Sequence, residues 1–156
     1  MRNEFSRYPF PTKLRVAAGI AVFAAAVGLY VLGEQPIAVG LFKPPWDKVA
    51  HVVAFAGIAA ATGLASGSRG WRLVAWCLGV ALAIGSMDEL HQAFLPGREA
   101  GLDDLSADAA GGLMGAVAMH GMHRMAWAWS IAQRKSKARL RRRSILSLPS
   151  RLDPKA

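Results

Sequence analysis

The chain has 156 residues, 53% of them hydrophobic and 19% charged, yet its formal net charge is +9. That much apolar surface excludes intrinsic disorder, and the single Cys77 excludes an internal disulfide or a thiolate metal cluster. Lys and Arg concentrate at the two ends rather than over a folded surface, so no nucleic-acid partner is expected, and one small domain or one bundle of membrane helices remains.

Four apolar runs follow one another. Residues 14–32 carry no charge beyond Arg15 at the edge. Residues 49–65 are interrupted only by His51 and small polar groups. The third run starts at 73. It reaches the roughly 20 helical residues that a bilayer core needs only by continuing through Asp88 to residue 94. The fourth starts at 105, holds Asp108, and runs past His120 to about residue 125. The expected fold is therefore all-α, a polytopic bundle of four transmembrane helices over 14–32, 49–65, 73–94 and 105–125. These lie in a membrane domain of residues 14–131, flanked by an N-terminal segment 1–13 and a basic tail 132–156. The first run exceeds the apolar core of a secretory signal, and no small-residue cleavage site follows it at 33–35, so it reads as a span.

Charge orients the bundle. Of the 19 Lys and Arg residues, 16 fall on one side of the runs: Arg2, Arg7, Lys13 and Arg15, then Arg69 and Arg72, then the series from Arg124 to Lys155. The other side holds Lys43, Lys48 and Arg98 with most of the acids: Glu34, Asp47, Asp88, Glu89, Glu99, Asp103, Asp104 and Asp108. The positive-inside rule places both termini in the cytoplasm and the acidic loops outside. The tail reads as a solvated arm beside anionic headgroups.

This topology brings unusual residues to one membrane depth from three separate segments. Asp47, Lys48 and His51 open the second run, with Asp47 and His51 at i,i+4. Glu89 and Gln92 close the third at i,i+3, ahead of Pro96-Gly97-Arg98. Asp104 and Asp108 open the fourth at i,i+4. Gly111 and Gly115 continue that stripe, with Gly112 beside it, as points of close helix approach. Ionisable groups at such depth are costly and face the bundle interior or a wet cavity. Each has an ordinary structural reading too. Asp47, Lys48 and Asp104 suit a helix start, His51 suits packing, and Glu89 suits an ion pair with Arg98. Asp88, His91, Glu99 and Asp103 read as flanking solvated groups. His120 and His123 stand at the opposite end.

The three segments carry a family resemblance. Asp47-Lys48, His51 and Phe55 resemble the D-K-x-x-H-x-x-x-F opening of VanZ-like membrane proteins. Glu89, Gln92, Phe94 and Pro96-Gly97-Arg98 resemble their E-x-x-Q-x-F-x-P-G-R segment. Asp104, Asp108, Gly111 and Gly115 resemble their D-x-x-x-N-x-x-G-x-x-x-G helix, with Asp108 where the pattern has Asn. Residues 46–115 carry the resemblance. It implies a multi-pass protein of the bacterial inner (cytoplasmic) membrane, connected with envelope lipids and glycopeptide susceptibility. It also implies kinship with helical enzymes acting on lipid headgroups.

The residues themselves describe a chemistry. Arg98 offers a planar fork for phosphate oxygens, and Lys48 a second positive contact. His51 can take or give a proton near neutral pH, with Asp47 to orient it. Glu89 and Asp104 either tune His51 or hold a divalent cation. Gln92 and Asp108 complete the substrate side. Membrane lipids or a lipid-linked envelope precursor are the expected partners. Two functions fit: an enzyme acting on a lipid phosphate headgroup at the outer face, or a non-catalytic factor that binds or moves such a lipid.

Overall fold

The computed structural model describes residues 9–35, 41, 43, 45–98 and 100–146, the side chains of 143–146 excepted. Arg2, Arg7, Pro44, Glu99 and the tail beyond 146 lie outside the described residues. Four helices account for most of the rest: α1 Thr12–Gly33, α2 Trp46–Ser66, α3 Trp71–Gln92 and α4 Leu102–Leu146. No strand occurs among the described residues. The chain divides into two units, Met1–Met122 and His123–Ala156.

Local chemistry sets the helix ends. Pro11 stands before α1, and its carbonyl accepts the N–H groups of Leu14 and Arg15 at 3.1 and 3.2 Å. A proline there sacrifices no helical hydrogen bond. α2 stops at Gly67, whose φ of +65° is the left-handed conformation glycine adopts without a Cβ clash. Arg15 reaches across from α1 to that end. Its Nε and Nη2 donate to the Ala65 carbonyl at 3.3 and 3.2 Å, and Nη2 also to Ser66 at 3.2 Å. A cation on the last carbonyls complements the helix dipole and ties α1 to α2. α3 ends at Gln92, two residues before the expected limit, ahead of a turn in which Gly97 has φ +78°.

The first unit is apolar on its outer surface and buries several polar groups beside a small apolar core. In α1 only Ala18 is buried, while Ile20, Phe23 and Leu32 are 64%, 71% and 65% exposed. Asp88, Glu89, Gln92 and Asp108 are buried instead. A water-soluble core would reverse this. The exposed apolar faces together with buried carboxylates are the pattern of helices solvated by lipid. α1, α2 and α3 are each long and apolar enough to cross a bilayer. α4 does not join them on that measure, because Asp108, Gly111, Gly112, Gly115 and His120 dilute its apolar stretch.

The opening part of α4 nonetheless belongs to the core of this unit. Ala116 and Met119 are buried with Ala59 of α2 and with Leu73 and Cys77 of α3. Gly111 and Gly115 lie directly on the α2 backbone, as the sequence predicts. A Cβ on Gly111 would stand 2.6 Å from the Val52 carbonyl oxygen, and one on Gly115 2.5 Å from that of Ala56. Gly112 meets α3, where an added Cβ would sit 3.0 Å from Ala81 Cβ.

In the second unit α4 stays helical through Leu146, over residues expected to form a polar arm. Ala, Gln, Lys and Arg are good helix formers, and neither Gly nor Pro interrupts this stretch. Arg134, Lys135, Lys137, Arg139, Arg141 and Arg142 are all exposed.

Candidate functional site: a polar centre joining α2, α3 and α4

His51 sits one turn inside α2. Its Nδ1 lies 2.8 Å from Oδ1 of Asp108, which is 1% exposed. An ionised carboxylate only accepts, so Nδ1–H donates, and in the neutral imidazole Nε2 is then the nitrogen that carries the lone pair. Nε2 lies 3.9 Å from Asp104 Oδ1. From α3, Glu89 Oε2 accepts the Gly101 N–H at 2.7 Å, while Oε1 is buried with no hydrogen-bond partner among the described residues. One ligating atom each from His51, Glu89 and Asp104 lie within 4.8 Å of one another. Segments far apart in sequence thus share one centre.

Lys48 is held by three carboxylates: Asp104 at 2.5 Å, Asp103 at 2.7 Å and Asp47 at 3.2 Å. The sequence offers Lys48 as a second positive contact for phosphate; here its ammonium pairs with acids at the starts of α2 and α4. Asp47 likewise departs from its expected part. One helical turn from His51, it turns one oxygen to Lys48 and leaves Oδ1 buried without a hydrogen bond among the described residues. Helical spacing brings Asp47 near His51, but the group bonded to the imidazole comes across the interface from α4.

A cavity of about 320 Å³ opens beside this centre. Leu29, Leu32 and Phe55 give it an apolar wall, and Asp47, His51, Asp88, Gln92 and Arg98 a polar one. Arg98 Nη2 donates to the Gly33 carbonyl at the end of α1 at 3.4 Å. Gln92 Nε2 donates to Asp88 Oδ2 at 2.7 Å.

Two of the residues expected to be solvated are not. Asp88 is buried on the polar wall. His91 stacks on Tyr30 with ring centroids 3.7 Å apart, and its Nε2 lies 3.2 Å from Glu34 Oε1. The reason is visible along α3, where Leu73, Cys77, Ala81 and Gly85 form a buried stripe that leads straight to Asp88 and Gln92. Asp103 is exposed as expected, but it binds Lys48. Gly85 escaped notice in the sequence although it makes room for Asp108. A Cβ there would stand 3.1 Å from Asp108 Cγ and 3.3 Å from its Cβ. His120 lies apart, on a small apolar groove with Val74 and Leu113.

The VanZ/LLP1 family model matches residues 4–123. The chain belongs to this family. The match takes in α1, α2, α3 and every residue of the polar centre, and ends one residue into the second unit. No curated protein and no solved structure matches the chain. Family membership and the apolar surfaces of α1 to α3 together make this a membrane protein. Within the VanZ-type pattern, Asp108 in place of Asn preserves the acceptor that His51 uses, because an amide oxygen takes the same bond. It adds a negative charge to a centre already rich in them.

Proposed function

We propose that this VanZ/LLP1 protein acts on the phosphate headgroup of a phospholipid or polyprenyl-linked lipid at the outer face of the bacterial cytoplasmic membrane, by hydrolysis or headgroup exchange. The observation that carries this reading is the mixed lining of the cavity. Leu29, Leu32 and Phe55 in its lining suit an acyl or isoprenoid chain, and the same lining holds Arg98 and His51. An amphiphile with an anionic head meets both demands. Arg98 would grip phosphate oxygens through its planar fork. His51, positioned by Asp108, supplies the lone pair on which the chemistry turns, either as proton acceptor or as an anchor for a cation.

In this reading α4 is a fourth span, supported by its glycine contacts with α2 and by the burial of Ala116 and Met119. Both termini are cytoplasmic, and the polar centre faces outward. Reporter fusions at Arg69 and after Gln133 should read cytoplasmic, while fusions near Pro44 and Glu99 should read external. A cytoplasmic signal near Glu99 would remove the outward site.

The functional test is lipid analysis of a strain lacking the gene, complemented with wild type or with His51→Ala or Arg98→Lys. Wild type should restore the lipid profile and His51→Ala should not. Arg98→Lys should restore it poorly although charge is kept, since an ammonium offers one point contact in place of a fork. Full restoration by His51→Ala would favour a lipid-binding or lipid-moving factor without turnover.

A further inference from the structure

We propose that His51, Glu89 and Asp104 bind a divalent cation of the Mn²⁺ or Zn²⁺ type. The three side chains come from α2, α3 and α4, and their ligating atoms lie within 4.8 Å of one another. Metal–ligand bonds of about 2.0–2.2 Å put neighbouring ligand atoms about 3 to 3.5 Å apart. Small side-chain rotations therefore close the set around an ion.

Two further features point at a cation rather than at a mere cluster of acids. Glu89 is 9% exposed, and its Oε1 is buried with no hydrogen-bond partner among the described residues. A buried carboxylate oxygen left without a partner is costly, and a metal at this position satisfies it. His51 is prepared as a ligand. With Nδ1 bonded to Asp108, Nε2 is the nitrogen left for a metal, and it lies 3.9 Å from Asp104 Oδ1. A histidine whose other nitrogen is tied to a carboxylate is the common arrangement behind a bound metal.

The charges agree. Asp47, Asp88, Glu89, Asp103, Asp104 and Asp108 surround the centre, against Lys48 and Arg98. Lys48 contacts Asp104 through Oδ1, the oxygen nearest His51 Nε2, so the ion would share Asp104 with an ammonium. Lys48 divides its contacts among three carboxylates, and a carboxylate has about four lone-pair sites, enough for an ammonium and a metal together. One imidazole and two carboxylates suit Mn²⁺ or Zn²⁺ better than an all-oxygen ion. Three protein ligands also leave coordination positions open to an incoming oxygen ligand. With the ion in place, the lone pair of His51 is committed, and His51 is a ligand rather than a proton carrier.

The site rests on the geometry and not on the lipid reading, so binding without turnover would keep the ion and discard the enzyme. The test uses the full chain purified in lipid nanodiscs and stripped of metal, with Mn²⁺ as the probe followed by electron paramagnetic resonance. Wild type should bind one Mn²⁺ per chain, with spin-echo modulation from a coupled ¹⁴N, and Zn²⁺ should compete. Glu89→Gln, which keeps shape, should weaken binding at least about 10-fold. Asp108→Asn, which acts only through His51, should weaken it less, and His51→Gln should remove the ¹⁴N coupling. Glu34→Gln, outside the donor set, should leave binding unchanged. Absence of stoichiometric Mn²⁺ in wild type, a bound ion without ¹⁴N coupling, or equal affinity in Glu89→Gln would each overturn the site.

Discussion

Gly85→Ala should lower function by about 10- to 100-fold while leaving the helix and every ionisable group in place, the cost typical of losing the partner that orients a reactive or ligating histidine. The added methyl would fall 3.1 Å from Asp108 Cγ and closer still to Oδ2. Asp108 is 1% exposed and short, so its carboxylate has nowhere to turn except away from His51. The imidazole then loses the 2.8 Å contact that holds its ring and fixes its tautomer. Alanine is a better helix former than glycine by about 1 kcal/mol, which offsets part of the clash with Asp108, so function should fall further than stability. Asp108→Asn should be milder, since an amide oxygen can still accept from Nδ1–H. Gly79→Ala on the same helix, where nothing lies within 4 Å of an added Cβ, serves as the neutral control. The comparison is read by complementation of the lipid profile and by melting temperature in detergent. Equal function in Gly85→Ala and Gly79→Ala would show that the Asp108–His51 contact does not matter.

Gly115→Leu should cost stability, on the order of 3 kcal/mol or more, because the neighbours it strikes are backbone. A Cβ at 115 would approach Ala56 O at 2.5 Å, Ala59 Cβ at 2.7 Å and Ala60 N at 2.8 Å. A flexible side chain can swing aside, whereas a helix backbone can yield only if the whole helix moves. Separating α4 from α2 would also draw Asp104 and Asp108 away from Lys48 and His51. The melting temperature and the polar centre should therefore fail together. Gly121→Leu, with open space at its Cβ, should leave both intact. A Gly115→Leu protein that melts like wild type would mean that the close α2–α4 contact contributes little.

The bundle was legible in the sequence because two independent patterns agreed. Apolar runs located α1, α2, α3 and the start of α4 to within a few residues, and the polar residues inside those runs fell at one end of three of them. The charge pattern then brought His51, Glu89 and Asp104 to one end of the bundle, and they meet in one centre. What the sequence concealed were the partners across interfaces. The i,i+4 rule relates Asp47 to His51 because it sees only one helix, and it is blind to the space Gly85 leaves for Asp108. Asp88 and His91 read as solvated because they adjoin a loop, yet the small-residue stripe through Cys77, Ala81 and Gly85 carries that face of α3 into the interior. The length of α4 was hidden for a different reason. A basic, polar stretch reads as an arm, but the same Lys, Arg, Gln and Ala residues favour a helix wherever no Gly or Pro intervenes.

In the proposed function, the cavity beside His51 and Arg98 performs chemistry on a lipid phosphate. Purified protein in bilayers of defined composition, each containing one phospholipid class or a polyprenyl phosphate, can be followed by ³¹P nuclear magnetic resonance. The account predicts that wild type converts at least one of these lipids, with a new phosphorus resonance for the released or exchanged headgroup that does not appear with His51→Ala. Folded wild-type protein that binds these lipids saturably while every phosphorus resonance stays unchanged would contradict it.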